Sequence, residues 1–90
     1  MASTASIEAE LLALAAERGP DRTFCPSEAA RRLVGDQEEA AWRALMPTIR
    51  AVAADLTAAG TLVCTQKGAP AHPVDAKGPI RLAVPPAEKA

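Results

Sequence analysis

Ile7, Leu11, Leu14 and Ala15 recur at the three-to-four-residue spacing of a single helical face. The pattern predicts a helix from a Ser6 cap to about Arg18, ended by Gly19-Pro20-Asp21. Thr23-Phe24-Cys25 reads as a short extended piece, because a residue that precedes proline is turned away from helix. Ser27 stands as the cap of a second, short helix, EAARRLV, with Ala30, Leu33 and Val34 turned inward and Gly35 as its stop. Asp36 is placed to cap the segment that follows, and the run QEEAA lengthens the turn before Trp42. From there Trp42, Leu45, Met46, Ile49, Val52, Ala53 and Leu56 form one apolar stripe. Pro47 falls inside it, and an interior proline removes a backbone donor and clashes with the preceding turn. The expectation is a short helix to about Leu45, a break, and a main helix with Pro47 in its first turn that ends before Gly60.

The period changes after Gly60. TLVCTQ is β-prone, and Ile80, Leu82 and Val84 alternate with Arg81 and Ala83 as in a half-buried strand, closed by Pro85-Pro86. Residues 67–78 between them form a long, proline-bearing loop where a tight hairpin needs only about two residues. Helix, short strand, short helix, main helix, strand, long loop, strand is the order of a winged helix-turn-helix. Ser27–Leu56 is then the helix-turn-helix, and the strand pair with loop 67–78 is the wing, whose length is tolerated because the sheet holds only its base. The fold class read here is α+β, with three to four helices and a small antiparallel sheet. One domain spans residues 6–85, between loose ends at 1–5 and 86–90.

Composition narrows this picture. The chain has 90 residues and is 49% hydrophobic, but its only aromatics are Phe24 and Trp42, so the core is a modest aliphatic one with Trp42 its largest piece. Charge is uneven: residues 1–39 carry net −4 and residues 40–90 net +3. An acidic front and a basic back suit an anionic partner, although ordinary charge scatter gives the same totals. No stretch reaches the ~18 apolar residues of a membrane span, and the N-terminus lacks the pattern of a signal peptide. Cys25 and Cys64, without close spacing, read as reduced, packed thiols in a cytoplasmic chain.

The strings TFCPSEAARRL, WRALMPTIRAVAADLTAAG, TQKG and KGPIRL resemble a small bacterial domain family of unknown function, over roughly residues 7–84. The resemblance implies a winged-helix-like fold and a bacterial origin. It brings no activity, cofactor or catalytic residue.

The chemistry has to come from the residues. In a DNA-binding winged helix the outer face of the main helix enters the major groove and the wing meets backbone or minor groove. Here that outer face holds Ala51, Ala54 and Ala58, with Arg43 and Arg50 on one shoulder and Thr48 and Asp55 on the other. Alanine reads nothing but a thymine methyl, so the helix is a poor base reader. The wing is better equipped: Lys67, Lys77 and Arg81, joined by Arg31 or Arg32, would meet roughly four or five phosphates, weakly and with strong salt dependence. The plain alternative is a solvated loop with basic ends. A second functional class is a protein-interaction or dimerisation module, in which Ala51, Ala54 and Ala58 permit close helix–helix approach; alanine chosen for helix propensity alone explains the same face.

Catalysis finds no support. His72 in APAHPV reads as a solvated histidine, and Cys25, Cys64 and His72 match no zinc spacing. Cys25 lies at a helix start, where the dipole favours an anion, but a packed inert thiol is the simpler reading. Asp75 reads as a turn former that accepts amides in the Asp75–Gly78 turn. Trp42 at the head of the stripe is core rather than a stacking platform for a base. The reading is a non-enzymatic module with no cofactor or metal, whose partner is DNA or, failing that, a protein or a second copy, and not a membrane.

Overall fold

The computed structural model describes residues 3–35 and 37–85. The elements in chain order are α1 (Thr4–Arg18), α2 (Pro26–Val34), α3 (Glu39–Ala58), β1 (Val63–Gln66), β2 (Ala69–Pro70) and β3 (Arg81–Ala83). The protein is α+β, with helices packed on a small antiparallel sheet of order β2-β1-β3, an arrangement compatible with a winged-helix-like fold.

The helix starts differ from the pattern-based expectation in an instructive way. α1 is capped by Ser3, not Ser6. Ser3 Oγ accepts from the Ser6 amide at 3.1 Å and Ser6 Oγ accepts from the Ser3 amide at 2.9 Å, so Ser6 is the reciprocal partner one turn in. α2 is capped at Cys25 rather than Ser27. Pro26 takes the first helical position, where its missing N–H costs nothing, and the Glu28 carboxylate accepts from the Cys25 amide at 3.0 Å. Gln37 lies in the turn before α3 and Glu38 is the N-cap, whereas Glu39, Ala40 and Ala41 are already helical, so QEEAA is divided between turn and helix. The expected Asp36 cap and the loose residues 86–90 lie outside the described residues.

α3 runs through Pro47 without the expected break. Pro47 cannot donate to the Arg43 carbonyl, but both residues are exposed, and a lost helical bond costs less at a solvated face than in the core. The flanking turns share one buried stripe of Trp42, Ile49, Val52, Ala53 and Leu56, with Leu45 and Met46 partly buried beside it. Packing on both sides of the proline holds the axis.

The sheet resolves the long loop. β1 and β2 form a tight hairpin across Lys67-Gly68, with Gln66 opposite Ala69. Both turn residues have positive φ, 53° and 82°, as the twist of a two-residue hairpin demands. Residues 71–80 then cross to the other edge of β1, where β3 pairs Leu82 with Cys64. The extended piece at Phe24 joins β3 as a bridge, with Phe24 and Leu82 exchanging N–H···O bonds of 2.8 Å in both directions.

Ile7, Leu11, Leu14, Phe24, Ile49, Leu62, Ile80 and Leu82 are fully buried between helices and sheet. Trp42 is buried as expected, but Phe24 is the largest side chain with no exposure at all. α1 and α2 are tied by ion pairs: Arg18 to Glu28 at 2.6 Å, and Arg32 to Glu17 and Glu10 at 2.7 and 3.2 Å. No helix among the described residues is long and apolar enough to cross a membrane.

Candidate functional site

The residues proposed from sequence for an anionic partner fall into two places. Lys67 sits in the hairpin turn between β1 and β2, Lys77 in the crossing segment, and Arg81 at the start of β3. With Gln66 and Pro79 they line one open cleft of about 470 Å³ at the tip of the sheet. Its lining holds three cations and no acid.

The cleft is built by hydrogen bonds that hold the crossing segment to β1 and α3. Gln66 Nε2 donates to the Lys77 and Pro79 carbonyls, which brings Lys77 beside Lys67. From beneath, Arg50 on α3 donates to the carbonyls of Pro73 (3.2 Å), Ala76 (2.9 Å) and Gly78 (2.6 Å). Those acceptors are neutral, so the guanidinium charge remains under the loop and adds to the local positive field. Arg81 Nε donates to Thr23 Oγ1 at 2.9 Å, and a terminal nitrogen reaches the Thr23 carbonyl at 3.2 Å, fixing Arg81 on the cleft wall. Among the described residues the Lys67 and Lys77 ammonium groups have no hydrogen-bond or ion-pair partner.

A second element of the loop is the turn at His72. The Ala76 amide donates to the His72 carbonyl at 2.9 Å, and His72 Nδ1 accepts from the Val74 and Asp75 amides at 3.2 and 3.3 Å. The turn acceptor is thus His72 and not Asp75. The ring is exposed but structural, with Nδ1 as its lone-pair side.

Arg31 and Arg43 lie elsewhere. Their guanidinium carbons stand 4.5 and 4.9 Å from the centroid of the Trp42 ring, so α2 and α3 contribute one stacking arginine each. Arg43 also pairs with Glu39 at 2.7 Å, one helical turn before it. Thr48, Ala51 and Ala58 are exposed on α3, while Ala54 is half-buried and its carbonyl accepts from Thr57 Oγ1 at 2.9 Å. The outer face of α3 therefore presents methyl groups and no hydrogen-bonding side chain between Thr48 and Asp55. Sequence reading found the three cleft cations but missed Gln66 and the clamping role of Arg50. The periodicity of a helix gives no sign that one of its side chains ends on the carbonyls of a loop more than twenty residues away.

Titratable groups with a clear shift lie outside this cleft. The Arg18 guanidinium, and then the Cys25 amide, hold the Glu28 carboxyl below its ordinary value against the opposing effect of burial. Glu17 is lowered in the same way by Arg32. Burial pushes the Cys64 thiol up, and Cys25 and Cys64 are both free thiols. Among the described residues no group of three or more His, Cys, Asp or Glu side chains is placed to hold a metal ion.

A family model described as a protein of unknown function (DUF3253) matches residues 4–85. No curated protein matches the chain.

Proposed function

The chain belongs to the DUF3253 family, whose function is unknown, and from that premise we propose a non-catalytic module that holds nucleic-acid backbone in the basic cleft of its wing. The observation that carries this reading is the convergence of Lys67, Lys77 and Arg81 on one open cleft that contains no acid. Two flexible ammonium groups and a pinned guanidinium suit phosphate oxygens, which need charge and donors but no fixed pattern of acceptors. The alanine surface of α3 offers no side chain to read base edges, so binding is indifferent to sequence. Three phosphate contacts give a slope of log K against log salt of about −3, hence weak binding near physiological salt.

The test is fluorescence anisotropy of a labelled mixed-sequence duplex over a salt series. The expected result is salt-weakened binding whose slope falls by about one unit for each of Lys67→Ala and Lys77→Ala. Binding that is absent at low salt, or that both variants retain unchanged, rejects the reading.

A further inference from the structure

A second concave surface lies on the other side of the Arg50 clamp. Arg43, Met46, Pro47, Arg50 and Val74 line a cleft of about 420 Å³. Its middle is apolar: Val74 is 54% exposed, the most exposed large hydrophobic side chain among the described residues, and it lines the cleft together with Pro47 and the half-buried Met46. An isolated exposed valine needs no explanation, but a valine that a clamped turn presents to the same cleft as a helical proline makes a preformed apolar seat. The turn is held rigid from both sides, by Arg50 on the Pro73 and Ala76 carbonyls and by His72 Nδ1 on the Val74 and Asp75 amides. Arg43 extends the groove into a neighbouring cleft of about 330 Å³ that it shares with Arg31, Glu39 and Trp42.

Among the described residues Arg43 and Arg50 line this cleft and no acid does. Arg43 pairs with Glu39 at 2.7 Å on the side of the neighbouring cleft, and the Arg50 guanidinium rests on neutral carbonyls and keeps its charge. The surface thus offers an apolar seat and flanking guanidinium groups. Phosphate backbone cannot use Met46, Pro47 and Val74, whereas a peptide with an apolar side chain and neighbouring carboxylates uses both features.

We infer that the Met46–Pro47–Val74 groove docks a short acidic-apolar segment of a protein partner, with its apolar side chain on Val74 and Pro47 and its carboxylates facing Arg43 and Arg50. This site is independent of the basic cleft, and it moves the protein-interaction surface from the alanine face of α3 to the shoulder of that helix.

The test is selection of displayed random dodecapeptides on the full chain, followed by titration of the selected synthetic peptides. The expected outcome is enrichment of sequences that set Asp or Glu beside Leu, Ile or Phe. Their affinity should fall about tenfold on Val74→Asp and again on Arg43→Glu, and stay unchanged on Lys67→Glu with Lys77→Glu. In wild-type protein the methyl signals of Met46 and Val74 should shift on peptide addition, a readout that does not depend on how any variant folds. Absence of enrichment, selected peptides that leave those methyls unmoved, or a DNA duplex that shifts them instead, each overturns the inference.

Discussion

Arg50 and Glu28 show how single side chains hold distant parts of this chain together. Arg50 gathers three carbonyls of the crossing loop, so Arg50→Ala should destabilise the protein by about 1–2 kcal/mol. It should also speed hydrogen exchange of the Ala76 amide, whose bond to the His72 carbonyl lies within the clamped turn. Unchanged exchange there would remove the clamp from the account. Glu28 ties the start of α2 to the end of α1 through Arg18. Its folded carboxyl titrates below the ordinary value of 4.5, so the stabilisation is present above that pH and is lost as pH falls through the folded value. Urea midpoints measured between about pH 5 and 3 should therefore fall with acid, and Glu28→Gln should flatten part of that fall. The local chemistry of these positions was only partly legible. Residue type favoured Ser27 over Cys25, and nearness to Ile7, the first apolar position, favoured Ser6 over Ser3; a reciprocal Ser–Ser cap and a Glu28 return bond do not stand out from single positions. Arg50 was legible as a cation on a helical shoulder, but its loop partners were not, because backbone carbonyls leave no mark in a sequence.

Elements were read from periodicity, and the two places where that reading bent are Pro47 and the loop 67–78. The apolar stripe from Trp42 to Leu56 was correct, and it outweighed the local preference of proline: one continuous face packed on the core keeps α3 unbroken across an exposed Pro47. Pro47→Ala should then stabilise the protein by about 2 kcal/mol, the helix-interior penalty of proline less its restriction of the unfolded chain. Denaturant unfolding measures this directly, and a loss of stability would contradict a helix that packing holds unbroken against the proline. In the segment expected to form a wing, the long loop concealed a two-residue hairpin. The turn signal Lys67-Gly68 is weaker than Asn-Gly because lysine seldom takes positive φ, which is why TQKGAP did not read as a turn. Lys67→Asn should raise stability by roughly 0.5 kcal/mol while lowering DNA affinity, since it eases the turn and removes a cleft cation. If the variant keeps full affinity, Lys67 is a turn residue and nothing more.

For the whole molecule, the division of charge along the sequence becomes a division in space. Much of the acidity of residues 1–39 is spent internally, Glu10 and Glu17 on Arg32 and Glu28 on Arg18, across the α1–α2 contact. Among the described residues Lys67 and Lys77 of the second half stay unpaired beside the sheet. The order of elements was legible because each period change coincided with a glycine or proline, at Gly19, Gly35 and Gly60. The site was legible only as a collection of cations. Their convergence depends on the crossing segment returning along β1 under Gln66 and Arg50, which no local pattern records. The most direct test of the central claim is titration of isotope-labelled protein with a mixed-sequence DNA duplex, following backbone amides at low and then near-physiological salt. The account predicts shifts at Gln66, Lys67, Lys77, Gly78 and Arg81 that shrink as salt rises, with Ala51–Ala58 unmoved. Absence of shifts at low salt, or shifts centred on Ala51–Ala58, would contradict it.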